Sequence, residues 1–148
     1  MPALLLLCGP PGSGKTTLAV RLERERPALR LTPDEWIEAL AIDPQDEEKR
    51  AVVEALQWKV AARALELGVD VVLDWAFWSR SERDDFRSRA AALGARAEVR
   101  FLDVPRDELS TRLAERNVAL PQGVFRVSDA QLDLWRTLFE PPTPSELE

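Results

Sequence analysis

One eight-residue segment constrains the fold of this 148-residue chain more than any other feature. Residues 9–16 read Gly-Pro-Pro-Gly-Ser-Gly-Lys-Thr, which is the G-x-x-x-x-G-K-[ST] pattern of a phosphate-binding loop. An apolar run from Ala3 to Cys8 precedes the segment, and a helical pattern follows it. In that context, successive backbone N–H groups and a helix N-terminus form a cradle for polyphosphate. The segment therefore predicts a ligand as well as a fold.

The residue types of the loop suit this chemistry. Glycines allow the backbone to turn tightly and to approach phosphate oxygens closely. We expect Lys15 to bridge the β- and γ-phosphates and the Thr16 hydroxyl to ligate Mg²⁺. The predicted nucleotide-binding residues are Gly9, Pro10, Pro11, Gly12, Ser13, Gly14, Lys15, Thr16 and Thr17. No Asn/Thr-Lys-x-Asp guanine motif is present, which favours ATP over GTP.

Composition narrows the class of protein. The length argues for a single domain, with 45% hydrophobic and 31% charged residues, as in ordinary soluble proteins. Cys8 is the only cysteine, and the N-terminal leucine run has no basic flank or cleavage site. No stretch approaches the length of a membrane span. We therefore expect a reducing, cytoplasmic location with no membrane partner.

Charge and the absence of histidine restrict partners and chemistry. The formal net charge of −6 disfavours a long nucleic-acid partner. The chain contains no histidine, which removes the commonest general base and the commonest metal ligand. Acid–base chemistry must therefore fall to carboxylates, lysine or water. The sequence leaves the oligomeric state open.

Strand and helix patterns alternate along the chain. Strands are predicted over 3–8, 29–31, 69–74 and 99–104. Helices are predicted over 15–25, from a capping box at Thr32–Glu35 to about residue 42, and along an apolar face of Val53, Leu56, Val60, Ala64 and Leu67. Further helices follow a Ser79/Glu82 capping box, Pro105, and a Ser128/Gln131 cap. This alternation predicts a mostly parallel sheet of about four to five strands with right-handed crossovers.

Acidic residues that end two of the strands are candidate metal ligands. Asp74 ends the β-branched run 69–74, and Asp103 follows the next strand along the chain. A carboxylate at the end of a strand beside the loop strand completes the magnesium shell in phosphate-binding-loop proteins. We favour Asp74, because its strand is the more apolar and suits a position buried on both faces. The alternative for either residue is a turn-capping role.

Asp34 follows the second short strand, where ligands gather in doubly wound sheets. A carboxylate there can take the proton from a substrate hydroxyl as it attacks the γ-phosphate. The alternative is that Asp34 only stabilises the dipole of its helix.

Two arginines and an aromatic group complete the candidates. Arg112 and Arg116 lie four residues apart on one helix face, so both can point at a transferring phosphoryl group. Surface pairing, with Glu108 for instance, is an equal alternative. The aromatic residues Trp75, Phe77 and Trp78 follow Asp74 directly and would suit a small substrate with an apolar face. For at least one of them, packing in the core is the favoured alternative.

The chain resembles the small P-loop kinases. The resemblance rests on Gly9–Thr17, Thr32–Glu35, Val72–Asp74 and Phe101–Pro105, together with Arg112 and Arg116. The nearest group includes phage-type polynucleotide kinase 5′-hydroxyl domains, zeta toxins and chloramphenicol phosphotransferase, and its members are often labelled AAA-type ATP-binding proteins.

The resemblance implies a P-loop NTPase fold with three α/β/α layers. It implies one domain over 1–148, with a mobile lid around 106–127 and a Pro-rich tail over 141–148. Asp34 would be the general base, Arg112 and Arg116 the lid arginines, and residues 139–142 would lie near the adenine. Polynucleotide kinases usually have an arginine shortly after the catalytic Asp, whereas here no basic residue occurs before Lys49.

These patterns together predict an ATP- and Mg²⁺-dependent phosphotransferase that moves the γ-phosphate to a hydroxyl of an unidentified small molecule. Lys15, Asp34, Arg112 and Arg116 are its predicted catalytic residues, and Thr16 and Asp74 its predicted metal ligands. The alternatives are a nucleotide-binding ATPase or switch without an acceptor, and a 5′-polynucleotide kinase.

Overall fold

Helices and strands alternate in the computed structural model, which describes residues 1–10, 12–118 and 127–147. The first half contains β1 (Ala3–Cys8), α1 (Lys15–Glu25), β2 (Ala28–Leu31), α2 (Pro33–Ala39) and α3 (Glu47–Glu66). The second half contains β3 (Asp70–Ala76), α4 (Arg80–Ala92), β4 (Arg96–Phe101), α5 (Arg106–Val118), α6 (Asp129–Leu138) and a 3₁₀ turn (Pro144–Glu146). Residues 119–126, which belong to the predicted lid around 106–127, lie outside the described residues.

The four described strands form one parallel sheet in the order β2-β3-β1-β4. Side chains of β1 alternate between two buried layers, because successive residues of a strand point to opposite faces. Leu4, Leu6 and Cys8 pack in a cluster with residues of α3 and α4. Ala3, Leu5 and Leu7 pack in a second cluster with residues of α1. This three-layer α/β/α arrangement confirms the predicted fold, and it explains why the loop strand is apolar throughout.

The predicted capping box at the start of α2 is wrong. Thr32 occupies the N-cap position, but its side chain makes no capping hydrogen bond. Its hydroxyl instead donates to Asp74 Oδ2 (3.1 Å) and accepts from Arg30 (2.8 Å), while the Glu35 carboxylate pairs with Arg30. Tertiary partners thus outcompete the local cap. The helix also ends at Ala39, short of the predicted residue 42.

Helix α3 exists as predicted, but it buries a different face. Its buried residues are Val53, Gln57, Ala61 and Leu65. Leu56 and Val60, two members of the predicted apolar stripe, are 47% and 43% exposed. The predicted and observed faces share Val53, and beyond it the buried residue of each turn lies one position later in the sequence than predicted. The small side chain of Ala61 allows close packing of the helix on the sheet.

Strand β4 begins and ends three residues earlier than the predicted 99–104. Strand β4 pairs with β1 from Arg96, opposite Ala3, to Phe101, opposite Cys8. The pairing ends at Phe101 because β1 ends at Cys8. Asp103 therefore lies two residues beyond the strand. The full capping box of Ser128 and Gln131 is confirmed at α6, and Ser79 accepts the predicted bond from the Glu82 N–H at α4.

The Pro-rich tail is ordered against α4. Glu146 is 2% exposed, and its carboxylate accepts from Arg83 Nε at 2.9 Å in a fully buried ion pair. Arg83 also donates to the carbonyl oxygen of Phe77 (2.9 Å). This tail therefore packs as part of the fold, which its proline content did not predict. Across the described ranges, no helix is long and apolar enough to cross a membrane.

Candidate active site

The glycine-rich loop joins β1 to the N-terminus of α1, where neither a side-chain cap nor an acidic residue stabilises the helix dipole. Gly14 is the N-cap, with φ at 96°, a conformation that favours glycine, and no side chain caps the helix. The first turn of α1 contains no acidic residue, unlike the first turns of α2, α3, α4, α5 and α6. Four N–H groups and the positive end of the dipole are thus left for an anionic ligand.

Two further features fit the loop to a ligand. Gly12 has φ at +80°, and a Cβ there would lie 3.0 Å from the Leu113 side chain of α5, so a larger residue would strain the backbone and crowd Leu113. The Ser13 hydroxyl is buried and has no hydrogen-bond partner among the described residues. Pro11, the remaining loop residue, lies outside the described residues.

Thr16 and Asp74 meet beside the loop. The Thr16 hydroxyl donates to Asp74 Oδ2 at 2.7 Å, and Asp74 is 7% exposed. Strand β3 carries one extra residue opposite Leu6–Cys8 of β1, and a bulge of this kind changes the direction of neighbouring side chains. The bulge falls at Asp74 and Trp75. The carboxylate and hydroxyl oxygens there are ligands that Mg²⁺ prefers, so the residues present fit the metal.

Lys15 is surrounded by the other charged candidates. Its ammonium donates to the carbonyl oxygen of Pro10 at 3.3 Å. Burial lowers the pKa of Lys15, the carboxylates of Asp74 and Asp34 oppose that change, and the guanidinium of Arg116 adds to it. The structure therefore brings Lys15, Asp34, Asp74 and Arg116 within electrostatic reach of one another.

Asp34 has a basic partner that sequence reasoning missed. Arg50 Nη2, from the first turn of α3, donates to Asp34 Oδ1 at 2.7 Å. No arginine closely follows Asp34 in the sequence, because its partner Arg50 lies on the next helix, 16 residues along the chain. A basic residue in the first turn of a helix, where acids are favoured, was the available signal.

The two α5 arginines lie on the loop side of that helix. Arg112 donates to the carbonyl oxygen of Ser13 (3.4 Å) and to Glu108 (2.6 Å), so it shows both the loop contact and the surface pairing that the sequence left open. Burial lowers the pKa of Arg116, and the Asp34 carboxylate opposes that shift. Residues 119–126 of the predicted lid lie outside the described residues.

Asp103 lies in a different environment from Asp74. It is exposed and lines a groove of about 160 Å³. The other lining residues are Pro10, Phe101, Val104, Trp135, Arg136, Phe139 and Pro141. Trp135 and Phe139 stack with ring centroids 4.2 Å apart, which provides a flat aromatic surface next to the loop.

The aromatic cluster after Asp74 is divided between two sides of the molecule. Phe77 is fully buried and stacks on Trp75 at 5.9 Å. Trp78 turns towards α6 and packs edge-to-face against Trp135. Ala76 and Phe77 have positive φ angles of 77° and 44°, which produce this change of direction. The cluster is therefore divided because the backbone reverses within it, and Phe77 packs in the core, as the sequence favoured for at least one of these residues. A substrate-binding role for the cluster stays a prediction.

The parallel sheet, the loop and the Asp74 carboxylate on β3 define a P-loop kinase-like protein of the three-layer α/β/α class. Strand β3 continues two residues beyond the predicted end at Asp74. The chain belongs to the AAA domain family, whose family model matches residues 4–142. The resemblance to small P-loop kinases is thereby confirmed. No curated protein matches the chain in sequence.

Solved structures share the fold at low sequence identity. A chain of the Pnkp1/Rnl/Hen1 RNA repair complex matches with a TM-score of 0.78 and 22% identity, over 93% of this chain and 43% of that one. Kti12 from Chaetomium thermophilum, in complex with ADP-AlF3, matches with a TM-score of 0.72 and 18% identity, over 96% and 82%. A gluconokinase from Sinorhizobium meliloti 1021 matches with a TM-score of 0.67 and 19% identity, over 97% and 78%. The chain thus spans less than half of the RNA repair relative.

Proposed function

We propose that this protein is an ATP- and Mg²⁺-dependent phosphotransferase that acts on a hydroxyl group of a small molecule. The observation that carries the proposal is the 2.7 Å hydrogen bond between Thr16 and Asp74 beside the half-buried Lys15. A phosphate-binding loop requires only backbone N–H groups and Lys15 to bind polyphosphate. A hydroxyl and a carboxylate joined next to them are the pair needed for a metal that assists transfer.

Each of the predicted nucleotide-binding residues has its own proposed role. The loop N–H groups and α1 hold the phosphates, and Lys15 neutralises charge between the β- and γ-phosphates. Thr16 and Asp74 would hold Mg²⁺, which when bound neutralises phosphate charge during transfer. The groove with the stacked Trp135 and Phe139 is the proposed nucleobase site, in agreement with the resemblance that places residues 139–142 near adenine.

Asp34 is the proposed general base. In the transfer, the acceptor oxygen forms a bond to the γ-phosphorus, the bond from that phosphorus to the ADP oxygen breaks, and the hydroxyl proton moves to Asp34. The Arg50 guanidinium, 2.7 Å from Asp34 Oδ1, orients the Asp34 carboxylate. Arg112 and Arg116 are proposed to stabilise charge on the moving phosphoryl group.

A phosphate-transfer screen tests the proposal. Labelled ATP is offered with nucleosides, aminoglycosides, phenicols, sugars and short oligonucleotides, and labelled product is separated from free phosphate. With the accepted substrate, we expect Lys15→Ala to weaken ATP binding or turnover and Asp34→Asn to lower turnover by about 10²-fold or more. Full turnover by Asp34→Asn would contradict the base assignment. ATP hydrolysis without any transfer would favour a switch or ATPase instead.

A 5′-polynucleotide kinase is the second candidate, and one observation favours it. Arg50 supplies the Asp34 partner whose absence from the adjacent sequence had argued against this activity. The RNA repair complex among the structural relatives adds a reason to test it. Transfer of labelled phosphate to a 5′-hydroxyl oligonucleotide, with no transfer to its 5′-phosphorylated form, would identify this activity.

A further inference from the structure

A second cavity lies between α3, α4 and the end of β3. Its volume is about 430 Å³. The lining residues are Glu54, Ala55, Trp58, Lys59, Trp75, Glu82, Phe86 and Arg89. Glu54 lies one turn of α3 beyond Arg50, and burial and, more weakly, the Asp34 carboxylate raise the pKa of Glu54, so the cavity lies within electrostatic reach of the proposed base.

The wall of this cavity is aromatic. Phe86 makes edge-to-face contacts with Trp58 (5.1 Å) and Trp75 (5.2 Å). Arg89 places its guanidinium carbon 4.6 Å from the Phe86 ring centroid and 5.5 Å from that of Trp58. The same wall thus already accepts a cation on its ring faces, which attract positive charge. Trp75 Nε1 is buried, with no hydrogen-bond partner in the described part of the chain.

Two carboxylates line this aromatic cavity without an ion-pair partner among the described residues. Glu54 and Glu82 are half-buried, and neither forms a hydrogen bond or an ion pair through its side chain with another described residue. The neighbouring cations are engaged elsewhere or solvated. Arg50 donates to Asp34, Arg89 donates to Asp85 at 3.0 Å, and Lys59 is exposed. Arg83, the cation whose charge acts most strongly on Glu82, is paired with Glu146. Half-buried carboxylates without partners lose hydration with no compensation inside the protein.

We propose that this cavity binds the acceptor, and that the acceptor is an amine-bearing alcohol whose ammonium group lies between Glu54 and Glu82. The inference rests on the proposed phosphotransferase function. Aromatic rings and two unpaired carboxylates together recognise a cation that carries apolar surface. The hydroxyl lies at Asp34, and Arg50 and Glu54 are one helical turn apart. The ammonium site at Glu54 therefore lies one turn of α3 beyond the cation that pairs with the proposed base.

Binding to the full chain tests the acceptor class without requiring turnover. Two matched pairs of probes differ only by an ammonium group: glucosamine against glucose, and 6-aminohexan-1-ol against hexane-1,6-diol. Trp58 and Trp75 line the cavity, so tryptophan fluorescence reports occupancy. We expect each amine to bind about tenfold or more tightly than its neutral partner, and gluconate to bind weakest.

Variants locate the effect. The double variant Glu54→Gln/Glu82→Gln keeps the shape of the cavity and removes both charges, so we expect the amine preference to fall to within about twofold. Glu66→Gln, an exposed carboxylate at the far end of α3, is the matched control and should retain the preference. The proposal is overturned if neither amine binds better than its neutral partner, or if the double variant keeps the preference.

The same probes in the labelled-ATP assay separate this inference from the proposed function. Transfer to glucose or gluconate with no advantage for amines would overturn the acceptor class and leave the phosphotransferase intact. Amine-selective binding, with no transfer to any acceptor in the screen, would support the cation site and contradict the phosphotransferase.

Discussion

Single residues in this protein are placed by partners far away in sequence. Thr32 has the position and chemistry of a helix cap, yet its hydroxyl binds Asp74, 42 residues away. Arg83, on a helix whose other arginines are at least partly exposed, is fully buried against Glu146. In both cases a polar group that leaves water requires a partner, and the nearest suitable partner lies on another element.

The Arg83–Glu146 pair should make a large contribution to stability. Glu146→Ala leaves the Arg83 guanidinium buried without its carboxylate, so we expect a loss of about 3 kcal/mol in the free energy of unfolding. Urea denaturation measures this change. Glu25→Ala, which removes one partner of the exposed Arg21–Glu25 pair, is the control and should change stability by less than about 0.5 kcal/mol. Equal midpoints for the two variants would show that the buried pair is unimportant.

Glu54 should make stability depend on pH. Burial raises the pKa of the Glu54 carboxyl from 4.5 to about 7, the Arg50 guanidinium lowers it, and nearby carboxylates raise it further. Because the folded protein binds this proton more tightly than the unfolded chain, protonation of Glu54 favours folding. The contribution to the free energy of unfolding is complete below pH 4.5 and is lost as the pH rises through about 7. The charged groups that face Glu54 are Asp34, Glu47, Arg50, Lys59, Glu82 and Arg89.

Glu54→Gln removes that titration. After a discount for the partial exposure of Glu54, we expect the variant to be about 1–2 kcal/mol more stable than the native protein at about pH 8 and equally stable near pH 4.5. Urea denaturation at several pH values between these limits checks this. Parallel stability profiles for the two proteins would mean that Glu54 titrates normally in the fold.

At the scale of elements, the N-terminus of α1 differs from the other described helix N-termini. Its Gly14 cap provides no side-chain acceptor, and its first turn has no acid. By contrast, α6 has a complete Ser128/Gln131 capping box, and α4 has the Ser79 cap. The local features that would stabilise α1 are absent, because a bound anion is expected to occupy that position.

Thr17→Glu should therefore have opposite effects on stability and on nucleotide binding. A negative charge in the first turn of α1 stabilises the helix by about 0.3–1 kcal/mol and repels a bound polyphosphate. We expect a small rise in the urea midpoint and weaker ADP binding by calorimetry. Thr17→Gln, which has similar size and no charge, should leave ADP binding closer to that of the native protein. Unchanged ADP affinity in Thr17→Glu would place the phosphates elsewhere.

At the scale of the whole molecule, the C-terminal tail connects the two sides of the site. Glu146 anchors the tail to α4, and Arg83 in turn binds the carbonyl oxygen of Phe77, where the backbone has a positive φ. The Glu140 N–H also donates to the carbonyl oxygen of Trp78 (2.8 Å). The tail thus supports the segment that leads from Asp74 towards both the aromatic cavity and the nucleobase groove.

Removal of residues 143–148 should therefore affect more than the C-terminus. We expect a loss of at least the 3 kcal/mol or so assigned to Glu146→Ala, together with weaker nucleotide binding as the Trp78 and Trp135 contact loosens. Urea denaturation and ADP calorimetry on the shortened chain give the two measurements. A shortened chain that keeps native stability would refute the anchoring role.

Local patterns predicted most elements of the fold. The β1–loop–α1 unit, strand β3, and helices α4, α5 and α6 all follow from apolar periodicity and capping residues. The errors concern facing and register. The buried face of α3 includes Gln57 and excludes Leu56, and β4 is shifted by three residues because its pairing with β1 sets its ends. Packing against the sheet determines which face of a helix is buried and where a strand ends. The periodicity of apolar residues does not specify that packing.

By itself, the sequence determined the phosphate-binding loop, the three-layer α/β/α class and the candidate residues, because these depend on contiguous residues with strong local preferences. Only the tertiary structure decided which of them meet. It joined Asp74 to Thr16, gave Asp34 its partner Arg50, divided the aromatic cluster, and enclosed Glu54 and Glu82 in an aromatic cavity. These contacts join residues that are distant in the chain. They form because charged and polar groups that are removed from water on folding require partners.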